Sequence, residues 1–300
     1  MSLKMLDFLS NSGISYLQNV DLSKISAIKI GGIAKTVIYP ESEDELCRLL
    51  SFLLENEIPF RVIGGATNVL FGDGEIETVI VSTLKLCDVK ICKNSVLAQC
   101  GARLANIFSL AKGYNLGGAE ELCGIPGTLG GAIAGNAGAF GKEIADFIEF
   151  VNVFDHQSGK RITLEPSDCG FGYRRSRFGR CFETVLSAGI DLNSTELKLI
   201  EERTEKFRAL RAQTQPIGKP SLGCAFKKAG GVSCAKLIDE CGLKGHKIGG
   251  ASISDKHAGF IVNDGGAKAA DYTALCYLAQ KCIFEKYHVT VEPEIKLIMR

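Results

Sequence analysis

The sequence predicts an α+β protein of about two domains, on three observations. Strand and helix signals alternate along its 300 residues, and at 46% hydrophobic content the chain is long enough for roughly two domains of about 150 residues each. A glycine-dense stretch, ten of the 29 residues from 113 to 141, interrupts the pattern near the middle. Beyond it the composition changes abruptly to a highly charged helical segment, ELKLIEERTEKFRALRA at 196 to 212. Such a helix commonly bridges domains, which places a boundary near residue 193.

Taken in order, residues 36 to 39 (TVIY) form an extended segment, and Ser42 with Glu45 three positions later reads as a capping box opening a helix. Leu46, Leu49, Leu50, Leu53 and Leu54 then repeat at helical spacing. The next strand, FRVI at 60 to 63, runs into Gly64-Gly65-Ala66-Thr67-Asn68, which completes one β-α-β unit with a tight loop. Further strands are predicted at 78 to 82 and in a hairpin turning at Lys93-Asn94, then at 147 to 154 and 182 to 190 around a turn at 157 to 160. Past the charged helix come a helix at about 233 to 241 capped by Ser233, strands near 247 to 253 and 259 to 262, and a long helix from about 268 to 286. The last segment, VTVEPEIKLIM, reads as a strand that Pro293 assigns to an edge or a bend.

Charge and composition exclude several classes. With 35 basic and 34 acidic residues nothing favours attraction to a phosphate backbone, so no nucleic-acid partner is expected. The opening MSLKMLDFLSNSGISY is not a secretory leader, and no run approaches 18 apolar residues, so a cytoplasmic chain without a membrane span is expected. The twelve cysteines show no two-residue gap and the four histidines no H-x-x-x-H spacing, which reads as reduced thiols and no metal site. No obligatory protein partner is evident.

Glycine costs conformational entropy and adds no packing, so a dense run implies close approach of backbone to something. Two loops stand out as candidates for holding a pyrophosphate on backbone N–H groups at a helix start: Gly64 to Asn68, and Gly124-Ile125-Pro126-Gly127-Thr128 with Gly131 and Ala132 behind it. Neither is a G-x-x-x-x-G-K-[ST] loop or a G-x-G-x-x-G fingerprint. Taken alone, the loops are equally compatible with tight turns and close helix packing.

Particular words decide more. KIGGIA at 29 to 34, VIGGATNVL at 62 to 70, GIPGTLGGAIAGNAGAFG at 124 to 141, YRRSRF at 173 to 178, AKLIDECGLKGHKIGGASISDKHAGFIVN at 235 to 263 and VEPEIKLI at 291 to 298 occur in that order. By these six blocks the chain resembles the UDP-N-acetylenolpyruvoylglucosamine reductases. The resemblance implies a vanillyl-alcohol-oxidase-type FAD-binding domain at 1–192, with α/β subdomains at about 1–82 and 83–192, and a smaller α+β substrate-binding domain at 193–300. It implies non-covalent FAD, NADPH as reductant, and reduction of the enolpyruvyl ether of UDP-N-acetylglucosamine to UDP-N-acetylmuramate for peptidoglycan synthesis. The spacing after YRRSRF leaves no room for a long tyrosine-bearing insertion, so the chain resembles the shorter branch of the family.

Hydride addition to an enol ether conjugated with a carboxylate builds negative charge there, which calls for cationic stabilisation and then a proton donor. By the resemblance, Arg174 stabilises that charge, its planar guanidinium suited to a carboxylate, and Glu294 works beside it. The donor block reads PSLGCAFKK, so Cys224 stands where the family usually has serine. Tyr173, Lys227 and Arg211 are further candidates for substrate contact, Arg211 for a diphosphate at a helix end. Two other readings remain open at this level: an FAD oxidase of a sugar or hydroxy acid on the same fold, and a flavin-binding protein without catalysis. The first is disfavoured because no histidine lies near the loops to tether a flavin.

Overall fold

The computed structural model describes residues 3–180 and 182–299. Cys181, one of the cysteines read as reduced, lies outside them; the other eleven are thiols, with no disulfide among the described residues. Grouped by packing, the chain forms two compact units that follow a different division from the linear one near 193. The first comprises 1–18, 36–65 and 78–209; the second comprises 19–35, 66–77 and 210–300. The charged helix itself runs Leu197–Thr214, so this grouping divides within the helix, between Ala209 and Leu210.

In the first unit, helix α1 (Leu3–Ser12) precedes a sheet in which Ile33–Tyr39, Val79–Ser82 and Phe60–Ile63 lie side by side in parallel. Helix α2 (Glu43–Glu55) connects the first and last of these, and Leu46, Leu49, Leu50 and Leu53 are all fully buried on its inner face. Ser42 caps it by accepting from Glu45 N–H at 3.1 Å, but the Glu45 carboxylate accepts from Glu41 N–H, one residue beyond the cap, so the box is not reciprocal. The second sheet is antiparallel throughout, in the order Lys160–Leu164, Ile148–Asp155, Glu183–Asp191, Ser95–Gln99, Val89–Cys92. Lys93, at φ +56°, makes the expected hairpin turn. Helices α3 (Leu104–Gly113) and α4 (Leu129–Gly135) pack on this sheet. One apolar core runs through the unit, from Met5 to Leu192.

The charged helix that the grouping divides is α5 (Leu197–Thr214), and the second unit carries the antiparallel sheet Ser221–Cys224, Phe260–Asn263, Ala251–Ile253, Lys247–Ile248, with helices α6 (Cys234–Glu240) and α7 (Ala269–Tyr287). Ser233 occupies the position before α6, yet its side chain makes no capping bond, which corrects the predicted cap. The predicted strand at 247 to 253 is broken in two by a turn, where Gly249 has φ +53°. The terminal segment is extended only at Lys296–Ile298, which pairs in parallel with Val69–Phe71. Pro293 has no N–H to give, and the Glu294 N–H bonds Ala225 O at 2.9 Å instead of continuing a ladder. No helix among the described residues is long and apolar enough to cross a membrane.

Candidate active site

The two glycine loops meet at a definite point. A Cβ placed on Gly64 would lie 2.0 Å from Thr128 Oγ1, so only glycine lets these loops touch. Thr128 is 1% exposed and its hydroxyl has no hydrogen-bond partner. The Gly124–Thr128 loop does open onto α4, but the donors there are largely committed. Leu129 N–H bonds Ala102 O, Gly130 N–H bonds Cys100 O, and Ala132 N–H closes the first turn on Thr128 O. The other loop leads not into a helix but into the strand Val69–Phe71, a correction to the expected helix start. Three apolar residues are too short a run for periodicity to separate the two. Ala66 within that loop has φ +47°, and its carbonyl accepts from Ala27 N–H.

Arg174 sits at the tip of a two-residue loop closed by reciprocal backbone bonds between Gly172 and Arg175. Its own φ is +51°, a left-handed backbone that costs a non-glycine residue about 1–2 kcal/mol. The guanidinium is held in place by carbonyls of the glycine run, Nη2 donating to Gly138 O at 2.8 Å and Nη1 to Asn136 O at 3.4 Å. It also lies 5.3 Å over the exposed ring of Tyr173. Asn136 organises this corner. Fully buried, left-handed and ending α4, it donates to Glu143 and to Gly172 O and accepts from Ala145 N–H. Asn136 was missed in the sequence, where only its place among glycines marked it.

Cys224 ends the strand Ser221–Cys224, half-buried and opposite Phe260. The register shifts along that strand, and Gly223 has φ +79°, so the glycine before the cysteine makes the irregularity that sets the side chain's position. Glu294 is brought beside this strand end by its N–H bond to Ala225 O, and Phe226 bridges Pro293. Lys227 continues the same track: its N–H bonds Glu292 O, and its Nζ pairs with the Glu292 carboxylate at 2.7 Å. Asn68, expected to serve the flavin loop, donates its amide to Glu294 O at 3.2 Å, and Lys296 N–H returns a bond to Asn68 O. Arg211 lies half-buried in the last turn of α5 and donates to Gln215. Thus Gly64 with Thr128 and Tyr173 with Arg174 are brought together in the first unit. In the second, Cys224, Lys227, Glu294 and Asn68 share one corner.

The final matches are to known proteins. Residues 215–298 match the model of the UDP-N-acetylenolpyruvoylglucosamine reductase C-terminal domain, and residues 34–165 match that of an FAD binding domain. The chain is 39% identical, over 97% of its length and 93% of the relative's, to the UDP-N-acetylenolpyruvoylglucosamine reductase of Caldicellulosiruptor bescii. This chain belongs to the UDP-N-acetylenolpyruvoylglucosamine reductase family. The crystal structure of the family member from Thermus caldophilus superposes with a TM-score of 0.78 at 31% identity, covering 95% of this chain and 98% of that one. Berberine bridge enzyme, at 15% identity and a TM-score of 0.54 over 65% of this chain and 44% of its own, shares the vanillyl-alcohol-oxidase-type fold alone.

Proposed function

We propose that this chain is the FAD- and NADPH-dependent reductase that converts the enolpyruvyl ether of UDP-N-acetylglucosamine to UDP-N-acetylmuramate. The observation that carries the reading is similarity to reductases of that name along almost the whole chain, with the words YRRSRF, GCAFKK and VEPEIKLI in place. Residues 1–192 are assigned to flavin binding and 193–300 to the substrate, an assignment supported by the spans of the two matching domain families.

The residues fit the cofactor. An unpartnered hydroxyl at Thr128, buried against a glycine that no side chain could replace, suits a polar group entering between the loops. Gly64, Gly65, Ala66, Thr67, Asn68, Gly124 to Thr128, Gly131 and Ala132 are the residues assigned to hold it. Bound there, FAD would supply the hydride chemistry that links NADPH to the vinyl carbon of the substrate. Arg174, its guanidinium pre-oriented by Gly138 O and Asn136 O, is assigned to the carboxylate on which charge develops. Cys224 Sγ–H is assigned to protonate the adjacent carbon, with Glu294 beside it. Tyr173, Lys227 and Arg211 are assigned to substrate contacts. The nucleotide-linked substrate and NADPH belong to the cytoplasm, where we place the reaction.

The test is spectroscopic. Purified protein is expected to be yellow, to bleach with NADPH and to recover colour with the enolpyruvyl substrate, and acid precipitation is expected to release the flavin. A bleach that the substrate cannot reverse overturns the proposed reaction.

A further inference from the structure

Asn136 does more than the end of a helix requires. A left-handed residue closing α4 could as well be glycine, which buries no polar group, yet the Asn136 side chain is buried and every polar atom on it is used. Oδ1 accepts from Ala145 N–H at 3.2 Å, and Nδ2 donates to Glu143 Oε2 at 2.6 Å and to Gly172 O at 3.0 Å. Gly172 O also takes the Arg175 N–H, so the amide grips the Arg174 loop at its closing bond. On the other side of the tip, Ser176 Oγ–H donates to Ala134 O at 2.9 Å. The loop is thus pinned on both flanks to the last turn of α4, and all of these residues lie in the first unit. Such pinning is what the left-handed backbone of Arg174 needs, because that conformation persists only where its surroundings over-determine it. The Glu143 carboxylate, held also by Asp146 N–H, completes the corner. A Cβ built on Gly138 would lie 2.9 Å from Glu143 Cγ and 3.2 Å from Arg174 Nη1, so a glycine there lets acid and guanidinium flank one stretch of backbone.

We propose that the Asn136 side chain is a positioning residue for Arg174, setting through Gly172 O the place and angle at which the loop presents the guanidinium. The inference rests on the assignment of Arg174 to the substrate carboxylate. A guanidinium holds a carboxylate through two parallel N–H···O bonds, a geometry that tolerates little rotation. Misplacing such a group by about 1 Å costs on the order of a hundredfold in rate. The half-reaction in which charge develops on that carboxylate therefore depends on the Asn136 grip. Reduction by NADPH does not call on Arg174 and is independent of it.

The experiment is a double-mutant cycle read by stopped flow on flavin-loaded enzyme. Asn136→Gly keeps the left-handed backbone and deletes the grip. Its reoxidation by the enolpyruvyl substrate is expected to slow about tenfold, with reduction by NADPH within about twofold of wild type. Made in Arg174→Ala enzyme, the same substitution is expected to slow reoxidation no further, because its effect passes through the guanidinium that is already gone. Asn136→Asp tolerates the same backbone, keeps the acceptor for Ala145 N–H and loses both donors; it is expected to show the same split, and it serves if the glycine variant fails to load flavin. Reoxidation at the wild-type rate, equal losses in the two half-reactions, or a further tenfold loss in the Arg174→Ala background would each overturn the proposal. These outcomes are distinct from failure of the Arg174 assignment, which Arg174→Ala alone reoxidising at the wild-type rate would reveal.

Discussion

The Asn68 side-chain amide donates to the main-chain carbonyl of Glu294 at 3.2 Å, joining positions 226 residues apart in sequence. The contact fixes the carboxylate-bearing turn from the side of the glycine loop. Removing it in Asn68→Ala leaves a half-buried carbonyl without this donor, at about 1–2 kcal/mol. We expect a melting temperature lower by roughly 2–6 °C and a slower substrate half-reaction. Unchanged reoxidation in stopped flow would show that Glu294 is held by its other bonds alone.

Arg174→Ala and Glu294→Gln are each expected to slow flavin reoxidation by substrate at least tenfold, about 1.4 kcal/mol or more in the barrier. Reduction by NADPH should be nearly unaffected, because both are assigned to charge that develops only in the second half-reaction. Equal losses in both halves, measured by rapid mixing, would remove them from these roles.

Cys224→Ser should retain substantial activity, since serine is the family's usual residue there, and Cys224→Ala should stall substrate reduction with NADPH bleaching preserved. The thiol's reference pKa of about 8.5 leaves it mostly protonated near neutral pH and still a better acid than a hydroxyl. Alanine enzyme that turns over normally would end the assignment.

The Cβ introduced by Gly64→Ala meets Thr128 Oγ1 at 2.0 Å and Thr128 Cβ at 3.2 Å, a clash with a short buried side chain. We expect at least tenfold weaker FAD binding, about 1.4 kcal/mol, read from flavin absorbance per protein. Adding Thr128→Ala relieves the clash and should restore thermal stability without restoring flavin affinity. Recovery of both would show that the hydroxyl has no part in holding the cofactor.

Asp264 offers a stability test. Its hydrogen bond from Lys219 at 2.8 Å, followed by one from Ser252 at 2.7 Å and the charge of Lys247, holds the carboxyl down at about 2. A depressed carboxylate stabilises the fold above its unfolded value of about 3.9, and that contribution disappears as pH falls toward the folded value. After allowance for solvent screening the effect is about 1 kcal/mol. Asp264→Asn should therefore be less stable than wild type at pH 7, with the difference closing between about pH 4 and 2. A gap that persists at pH 2 would point to packing.

What was legible in the sequence follows from how local each interaction is. The α2 leucines and the Ser42 cap act within four residues, and both were readable. Helix α3, absent from the expected elements, carries the same local signal in Leu104, Ile107, Phe108 and Ala111. Arg174, Cys224 and Glu294 were visible only through family words, since nothing in their own spacing marks them. Their supports depend on closure of the fold. Gly138 O becomes a guanidinium acceptor only when residue 174 folds back on it, and Ala225 O takes the Glu294 N–H only once the terminal segment has docked. The terminal strand was overextended in expectation because Pro293 and that diverted N–H break the ladder before Lys296.

The pairing of Lys296–Ile298 with Val69–Phe71 has a consequence for biosynthesis. The second unit draws on 19–35 and 66–77 as well as everything from 210 onward, so its early segments leave the ribosome without their partners. At about 5–20 residues per second the interval before the last strand appears is on the order of ten to fifty seconds. Through that time Leu70 and Phe71, both fully buried in the finished molecule, have no strand beside them. The unit cannot complete itself before Lys296–Ile298 is available, and a nascent chain stalled even a few residues short of Ile298 would present an apolar edge to whatever chaperone or neighbour meets it first.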